Sequence, residues 1–345
     1  MQPVQRVNLF SDTQTRPTDA MRAAMARAEV GDEQRFEDPT VNALCERVAV
    51  LLGFEAAVFL PTGTMCNVIA MRLHLRPGGD AVLLHPDSHP VRFEAGGPAA
   101  LSGAMIQPVP GDRGMFDAAG LEQVLSRPTD RYAPRSRLVC LEQTTNVAGG
   151  RVWPLEQLRA VVESARARSL RLHLDGARLM NAVVATGRPA TEWTRGFDTA
   201  WIDFTKGLGA PVGACLAGSA ELIDEAWRYK QMLGGAMRQA GIVAAGAAHA
   251  LDFHVERLAD DHANARRLAD GLATLPGAAL DPEAVETNIV VFDVPDAPGF
   301  CAAMEREGVV MGAFGARTVR AVTHLDVGAD DIDLAVDAAR RVLTG

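Results

Sequence analysis

The sequence predicts an α/β protein, a mostly parallel central sheet covered by helices, with a smaller C-terminal α+β domain behind it. Three observations predict it. Short, nearly continuous apolar runs recur between residues 56 and 217, stretches with helical periodicity lie between them, and the pattern changes after about residue 250. Strands buried on both faces read as unbroken apolar runs, and their alternation with helices marks a parallel sheet whose crossovers cover it.

Residues 1–20 are irregular and rich in turn formers. Helical spacing follows at 18–28 and at 39–52, where Val41, Leu44, Val48 and Leu51 fall on one face. Strands are expected at 56–60, 81–85, 138–142, 170–175, 199–205 and 213–217, with helices at 67–75, 155–168 and 220–232 among them. A long helical stretch over 236–275 leads into the second unit. There, strands are expected at 288–294, 309–314 and 319–323 and helices at 298–307 and 330–343. The division is a large domain over 1–250, including an N-terminal arm, and a small domain over 251–345.

Composition narrows the function classes. The 345 residues are 48% hydrophobic and 22% charged, enough apolar material for a substantial core. A net charge of −9 argues against nucleic acid as the main partner, because phosphate backbones need a basic surface. No transmembrane stretch and no apolar signal core at the N-terminus are evident, so a cytoplasmic protein is expected. The five cysteines are odd in number and widely spaced, which suits reduced thiols, and no CxxC pair suggests zinc.

In an open parallel sheet, ligands bind beyond the carboxyl ends of the strands. The first exit, Pro61-Thr62-Gly63-Thr64-Met65-Cys66-Asn67, opens a helix. It offers either free amides for a phosphate or a plain threonine-capped turn. It lacks the lysine of a nucleotide-binding loop. The second exit, His173-Leu174-Asp175-Gly176-Ala177-Arg178, ends a strand on a carboxylate beside two small residues. Asp175 could pair with a pyridine nitrogen, share a metal with His173, or simply cap a helix. Arg178 could fork onto a carboxylate or phosphate. The third exit, Thr205-Lys206-Gly207-Leu208-Gly209, puts a lysine where little solvated surface remains. A desolvated amine can attack an aldehyde, although most lysines are surface groups. His89 follows another strand and could stack on a flat ring or serve as an ordinary hydrogen bonder. Arg238 sits beside the flexible Gly234-Gly235.

Together these segments resemble the threonine aldolase family, of the β-eliminating-lyase branch of fold-type I pyridoxal-phosphate (PLP) enzymes. The resemblance is carried by Ser11-Asp12-Thr13, Thr15-Arg16-Pro17-Thr18, Glu37-Asp38-Pro39-Thr40, the 61–67 loop, Ser88-His89, Gly149-Gly150-Arg151, and the segments 173–179, 206–213, 232–239 and 322–327. It implies PLP bound by Lys206 as a Schiff base, with Asp175 on the ring nitrogen and His89 on the ring face. Gly63, Thr64 and Met65 would hold the phosphate, and Ser11, Arg178 and Arg320 the substrate carboxylate. Arg238 would reach the phosphate of a neighbouring subunit in a homodimer or homotetramer. The implied reaction cleaves a β-hydroxy-α-amino acid to glycine and an aldehyde. Alternatives are another PLP-dependent lyase reaction (β-elimination, or aldol chemistry on an α-substituted amino acid) and a non-catalytic PLP-binding relative.

Departures from the family pattern cluster at the substrate end. The segment Glu142-Gln143-Thr144-Thr145-Asn146 carries Thr145 where the family has a histidine that contacts the substrate hydroxyl. Arg35-Phe36 replace a tyrosine, Val91 an aromatic residue, and Gln231 a lysine, with Lys230 one place earlier. A threonine hydroxyl is no general base at neutral pH. The expected base is therefore a water oriented by Thr145 or His89.

Overall fold

The computed structural model describes residues 7–76, 78–126 and 130–344. Its strands are β1 (Val7–Asn8), β2 (Ala56–Leu60), β3 (Ala81–Leu84), β4 (Met105–Pro108), β5 (Ser136–Glu142), β6 (Arg171–Asp175), β7 (Thr199–Asp203), β8 (Ala214–Gly218), β9 (Ile289–Asp293), β10 (Val309–Val310), β11 (Gly312–Ala313) and β12 (Thr318–Val322). Seven of them form the central sheet in the order β2-β8-β7-β6-β5-β3-β4. Only β8 runs against its neighbours, β2 and β7. The carboxyl ends of the other six therefore share one edge, ending at Leu60, Leu84, Pro108, Glu142, Asp175 and Asp203. That edge carries the site.

The strands β3, β7 and β8 are buried at every residue, so their apolar runs reflect cover on both faces. Helix Pro39–Leu52 shows why the flanking helices form where they do. Asp38 caps it by accepting the Val41 amide at 3.0 Å, Pro39 pre-sets the first turn, and Gly53 ends it at φ 72°. Its Val41, Leu44, Val48 and Leu52 face the core with Phe59, Trp153 and Trp193.

A second core unites Leu268, Phe292, Met304 and Ile332 of the C-terminal region with Val7 and Leu9. Here the structure differs from the expected division. The N-terminal arm belongs to the small unit: β1 pairs parallel with β10, and Leu9 bonds both the Val310 carbonyl and the Val322 amide at 2.8 Å. The boundary lies inside helix Leu258–Ala273, whose Leu258 packs on the large core and whose Leu268 packs on the small one.

Other elements differ in detail. The helical stretch 236–275 is two helices, Gly241–Phe253 and Leu258–Ala273. The break follows His254, whose Nδ1 donates to the Leu208 carbonyl at 2.7 Å, a tertiary contact with no sequence signature. The strand expected over 309–314 splits into β10 and β11, which pair with different partners. The edge strand β4, with Met105 half exposed, was not anticipated. Among the described residues no helix is long and apolar enough to cross a membrane.

Candidate active site

Beyond the shared edge lies a cleft of about 440 Å³, lined among others by Lys206, Asp203, His89, Trp201, Gly63 and Thr64. Lys206 stands in the loop after β7. The loop is fixed from both sides: the Lys206 carbonyl accepts from Thr15 Oγ1 at 3.0 Å and from the Gly209 amide at 2.8 Å. Its Nζ pairs with Asp203 and lies 5.8 Å from the Trp201 ring centroid. Asp203 is held in turn by the Thr205 amide at 2.8 Å and the Thr205 hydroxyl at 2.7 Å.

Across the cleft, helix Gly63–His74 begins after β2. Thr62 caps it by accepting the Met65 amide at 3.1 Å, which leaves the Gly63 and Thr64 amides at the positive end of the helix without a protein partner among the described residues. A Cβ at 63 would lie 2.2 Å from the Trp201 ring, so only glycine fits there. Met65 is placed differently from Gly63 and Thr64. Its amide is spent on the cap, and its side chain packs beside Gly235 instead of lining the cleft.

Asp175 ends β6 fully buried, next to the lining residue Ala177. One oxygen accepts the Ala177 amide at 3.1 Å and the other accepts Asn67 Nδ2 at 2.8 Å. Burial pushes its carboxyl up, while His89, the Asn67 and Ala177 bonds and Lys206 pull the other way. Asp175 and Lys206 thus lie close enough to feel each other's charge. A Cβ at Gly176 would strike the Trp201 carbonyl at 1.9 Å, which explains the small residue after the carboxylate. His89 Nδ1 bonds Glu94 at 2.9 Å. Burial lowers the His89 pKa, but the Glu94 bond and the nearby carboxylates outweigh it and raise it overall. Glu142, beside Asp175 across the β5–β6 pairing, is pushed up to about 8 by burial and by Asp175. His173 offers no lone pair to a metal, since its two nitrogens are engaged by Thr199 at 2.8 Å and Asn67 at 3.1 Å.

The two arginines expected at the substrate end are brought together by Asn146. Its Oδ1 accepts from Arg178 at 3.3 Å and from Arg320 at 3.2 Å. Arg178 forks onto Asp12 through two bonds of 2.7 Å. Burial raises the Asp12 carboxyl, but Arg178 outweighs it and holds it well below the usual carboxylate range. Arg320 is different. It is buried, stacks 4.6 Å from the Phe314 ring, keeps an unpartnered Nε, and makes no ion pair among the described residues. Burial and the neighbouring Arg178 pull its pKa down to about 10. A buried guanidinium without a counter-charge is costly unless an anion completes it. Ser11 caps a short turn, accepting from the Thr13 amide at 3.2 Å and the Thr13 hydroxyl at 2.8 Å.

Two other expected residues lie off the cleft. Thr145 is 1% exposed and sits beneath the 112–115 turn; a Cβ on Gly114 would lie 2.8 Å from its own Cβ. Its hydroxyl is buried without a protein partner among the described residues. A larger group there has nowhere to go, so Thr145→His is expected to lower stability by about 1–3 kcal/mol, read as a lower Tm. Arg238 has a 64% exposed side chain and pairs with Asp32 at 3.0 Å. Its loop is stapled by the buried Lys230–Glu33 pair at 2.8 Å, with the Glu33 amide donating to the Arg238 carbonyl at 3.0 Å.

Sequence reasoning missed Asp203, Glu94, Trp201 and Glu142 as site residues. Asp203 had a signal, a carboxylate three residues before the lysine at the same strand exit. Taken together, the donor set fits a phosphate-bearing aromatic aldehyde. It has an amine in the cleft, a carboxylate for a ring nitrogen, free helix-end amides for the phosphate, and an uncompensated guanidinium for a substrate anion.

The sequence matches the family described as beta-eliminating lyase over residues 8–295. It is 38% identical over 346 aligned positions, covering 98% of both chains, to a probable low-specificity L-threonine aldolase 2 of Arabidopsis thaliana. It is 41% identical to the low specificity L-threonine aldolase of Escherichia coli strain K12, covering 94% of this chain and 96% of that one. The fold superposes on a threonine aldolase structure from Leishmania major with a TM-score of 0.84 at 21% identity, covering 98% of this chain and 100% of the other.

Proposed function

The chain belongs to the beta-eliminating lyase family, and from that premise we propose that it is a PLP-dependent carbon–carbon lyase of the low-specificity threonine aldolase type, cleaving a β-hydroxy-α-amino acid to glycine and an aldehyde. The observation that carries this reading is the strand edge that sets the Lys206 amine in a cleft near the buried Asp175 carboxylate, with the Arg320 guanidinium, unpaired among the described residues, linked through Asn146 to Arg178.

In this reading Lys206 holds the cofactor through its aldehyde carbon, Asp175 meets the ring nitrogen, and the Gly63 and Thr64 amides receive the phosphate. When bound, PLP supplies an electron sink for the pair released as the Cα–Cβ bond breaks. The remaining work falls to the protein. Arg320, steadied beside Arg178 by Asn146, grips the substrate carboxylate and fixes its orientation. His89 is held at Nδ1 by Glu94, which leaves Nε2 as the basic nitrogen that takes the β-hydroxyl proton, directly or through a water. Asp203 receives the Lys206 ammonium whenever the lysine is free. Supporting a shared site in a homodimer or homotetramer, Arg238 is exposed, anchored by its own loop, and outside its own cleft. A cytoplasmic location goes with this reading.

The test is turnover on a panel of threonine, allo-threonine, phenylserine and α-methylserine diastereomers. Glycine plus aldehyde is expected. A keto acid plus ammonia, alanine release from α-methylserine alone, or no turnover would replace the proposal with one of its rivals. Within that assay, Arg320→Leu is expected to raise KM about 10–100-fold with a smaller change in kcat, the loss of hydrogen bonds to a charged group.

A further inference from the structure

Behind the cleft, out of reach of any ligand, a file of buried polar side chains runs across the sheet. Asn67 is its hub. Nδ2 donates to Asp175 at 2.8 Å and to Glu94 at 2.7 Å, and Oδ1 accepts from Trp201 Nε1 at 2.9 Å. The orientation of that amide is forced, because an indole N–H can only donate, which makes the facing Asn67 atom the oxygen. Everything further back follows. His173 Nε2 meets the same Oδ1 at 3.1 Å and must carry its proton there. Its Nδ1 is then a lone pair, and Thr199 Oγ1 donates to it at 2.8 Å. With its proton committed, Thr199 accepts from His74 Nε2 at 2.9 Å. Burial keeps both imidazoles neutral, His173 pulled down to about 3 and His74 to about 4.

We propose that Asn67 is the positioning residue of the whole cofactor site. It aims Asp175 at the ring nitrogen and, through Glu94, sets His89 on the ring face, while a one-way donor chain from His74 through Thr199 and His173 locks its own amide. The cofactor half of this inference rests on the reading above. The chain itself does not, and the experiment separates them.

In the protein free of cofactor, ¹⁵N-histidine NMR at neutral pH is expected to show His173 and His74 neutral, each protonated on Nε2. In Thr199→Val the His173 Nδ1 signal is expected to move to that of an unbonded nitrogen, and in Thr199→Ser to return. With ¹⁵N-labelled PLP, Asn67→Ala is expected to bind cofactor about 10–100-fold more weakly, the loss of a hydrogen bond to a charged group. The ring-nitrogen signal should then shift toward the unprotonated value, with Thr199→Val displaced the same way by less. His173 protonated on Nδ1 in the wild-type chain would overturn the inference. So would an Asn67→Ala protein with unchanged affinity and ring-nitrogen signal. Wild-type protein that binds no PLP would instead overturn the cofactor reading, and the tautomers would still be decided.

Discussion

Lys206→Ala is expected to abolish the covalent cofactor linkage, and with it the visible absorbance band, and to lower turnover by roughly 10³-fold or more, as removal of the covalent nucleophile does elsewhere. The fold should survive. The Lys206 side chain contributes one contact to Asp203 and one to the Trp201 ring, while the loop is held through the Lys206 carbonyl, which accepts from the Thr15 hydroxyl and the Gly209 amide and which the substitution leaves alone. Noncovalent PLP binding through the Gly63 and Thr64 amides should persist at reduced affinity. The checks are absorbance spectroscopy and steady-state kinetics on one preparation, with Tm as the control. A variant that keeps both band and activity removes Lys206 from the mechanism.

Asp175→Asn carries the second-largest expected effect. The amide keeps the shape and its oxygen can still accept from Ala177, but its NH2 then faces the Asn67 donor, and it brings no negative charge to hold a proton on the ring nitrogen. Turnover is expected to fall roughly 10²–10³-fold, the scale of losing one preorganised electrostatic partner. Cofactor affinity should fall as well. Asp175→Glu keeps the charge but forces one more methylene into a fully buried site whose carboxylate is already fixed by Asn67 and Ala177. It should therefore also lose activity, through misplacement. Kinetics on both variants, together with the labelled ring-nitrogen signal, distinguish charge from position: only the asparagine variant is expected to shift that signal toward the unprotonated value.

What was legible in the sequence was the framework and its exits. Apolar runs such as 81–85 coincide with β3 because strands buried on both faces leave an unbroken signal. Lys206, Asp175 and the Gly63-Thr64 turn stood out because chemistry at a strand exit is local in sequence. The rest depended on long-range packing. Glu94 reads as an ordinary acidic loop residue until Asn67 and His89 close on it. Thr145 lies in a segment that the family pattern ties to the substrate, yet the turn over Gly114 buries it. Arg178 and Arg320 look alike in sequence, but Asp12 pairs with the first, whereas the second makes no ion pair among the described residues. The N-terminal arm joined the small unit because β1 completes a pairing with β10, which no periodicity reports.

The most direct measurement of the central claim is borohydride reduction of the PLP-loaded protein, followed by digestion and mass mapping of the pyridoxyl label. The account predicts stoichiometric label on the peptide containing Lys206 and none in Asp175→Asn beyond its residual cofactor occupancy. Label on another lysine, or no label in a protein that nevertheless cleaves a β-hydroxy amino acid, would contradict it.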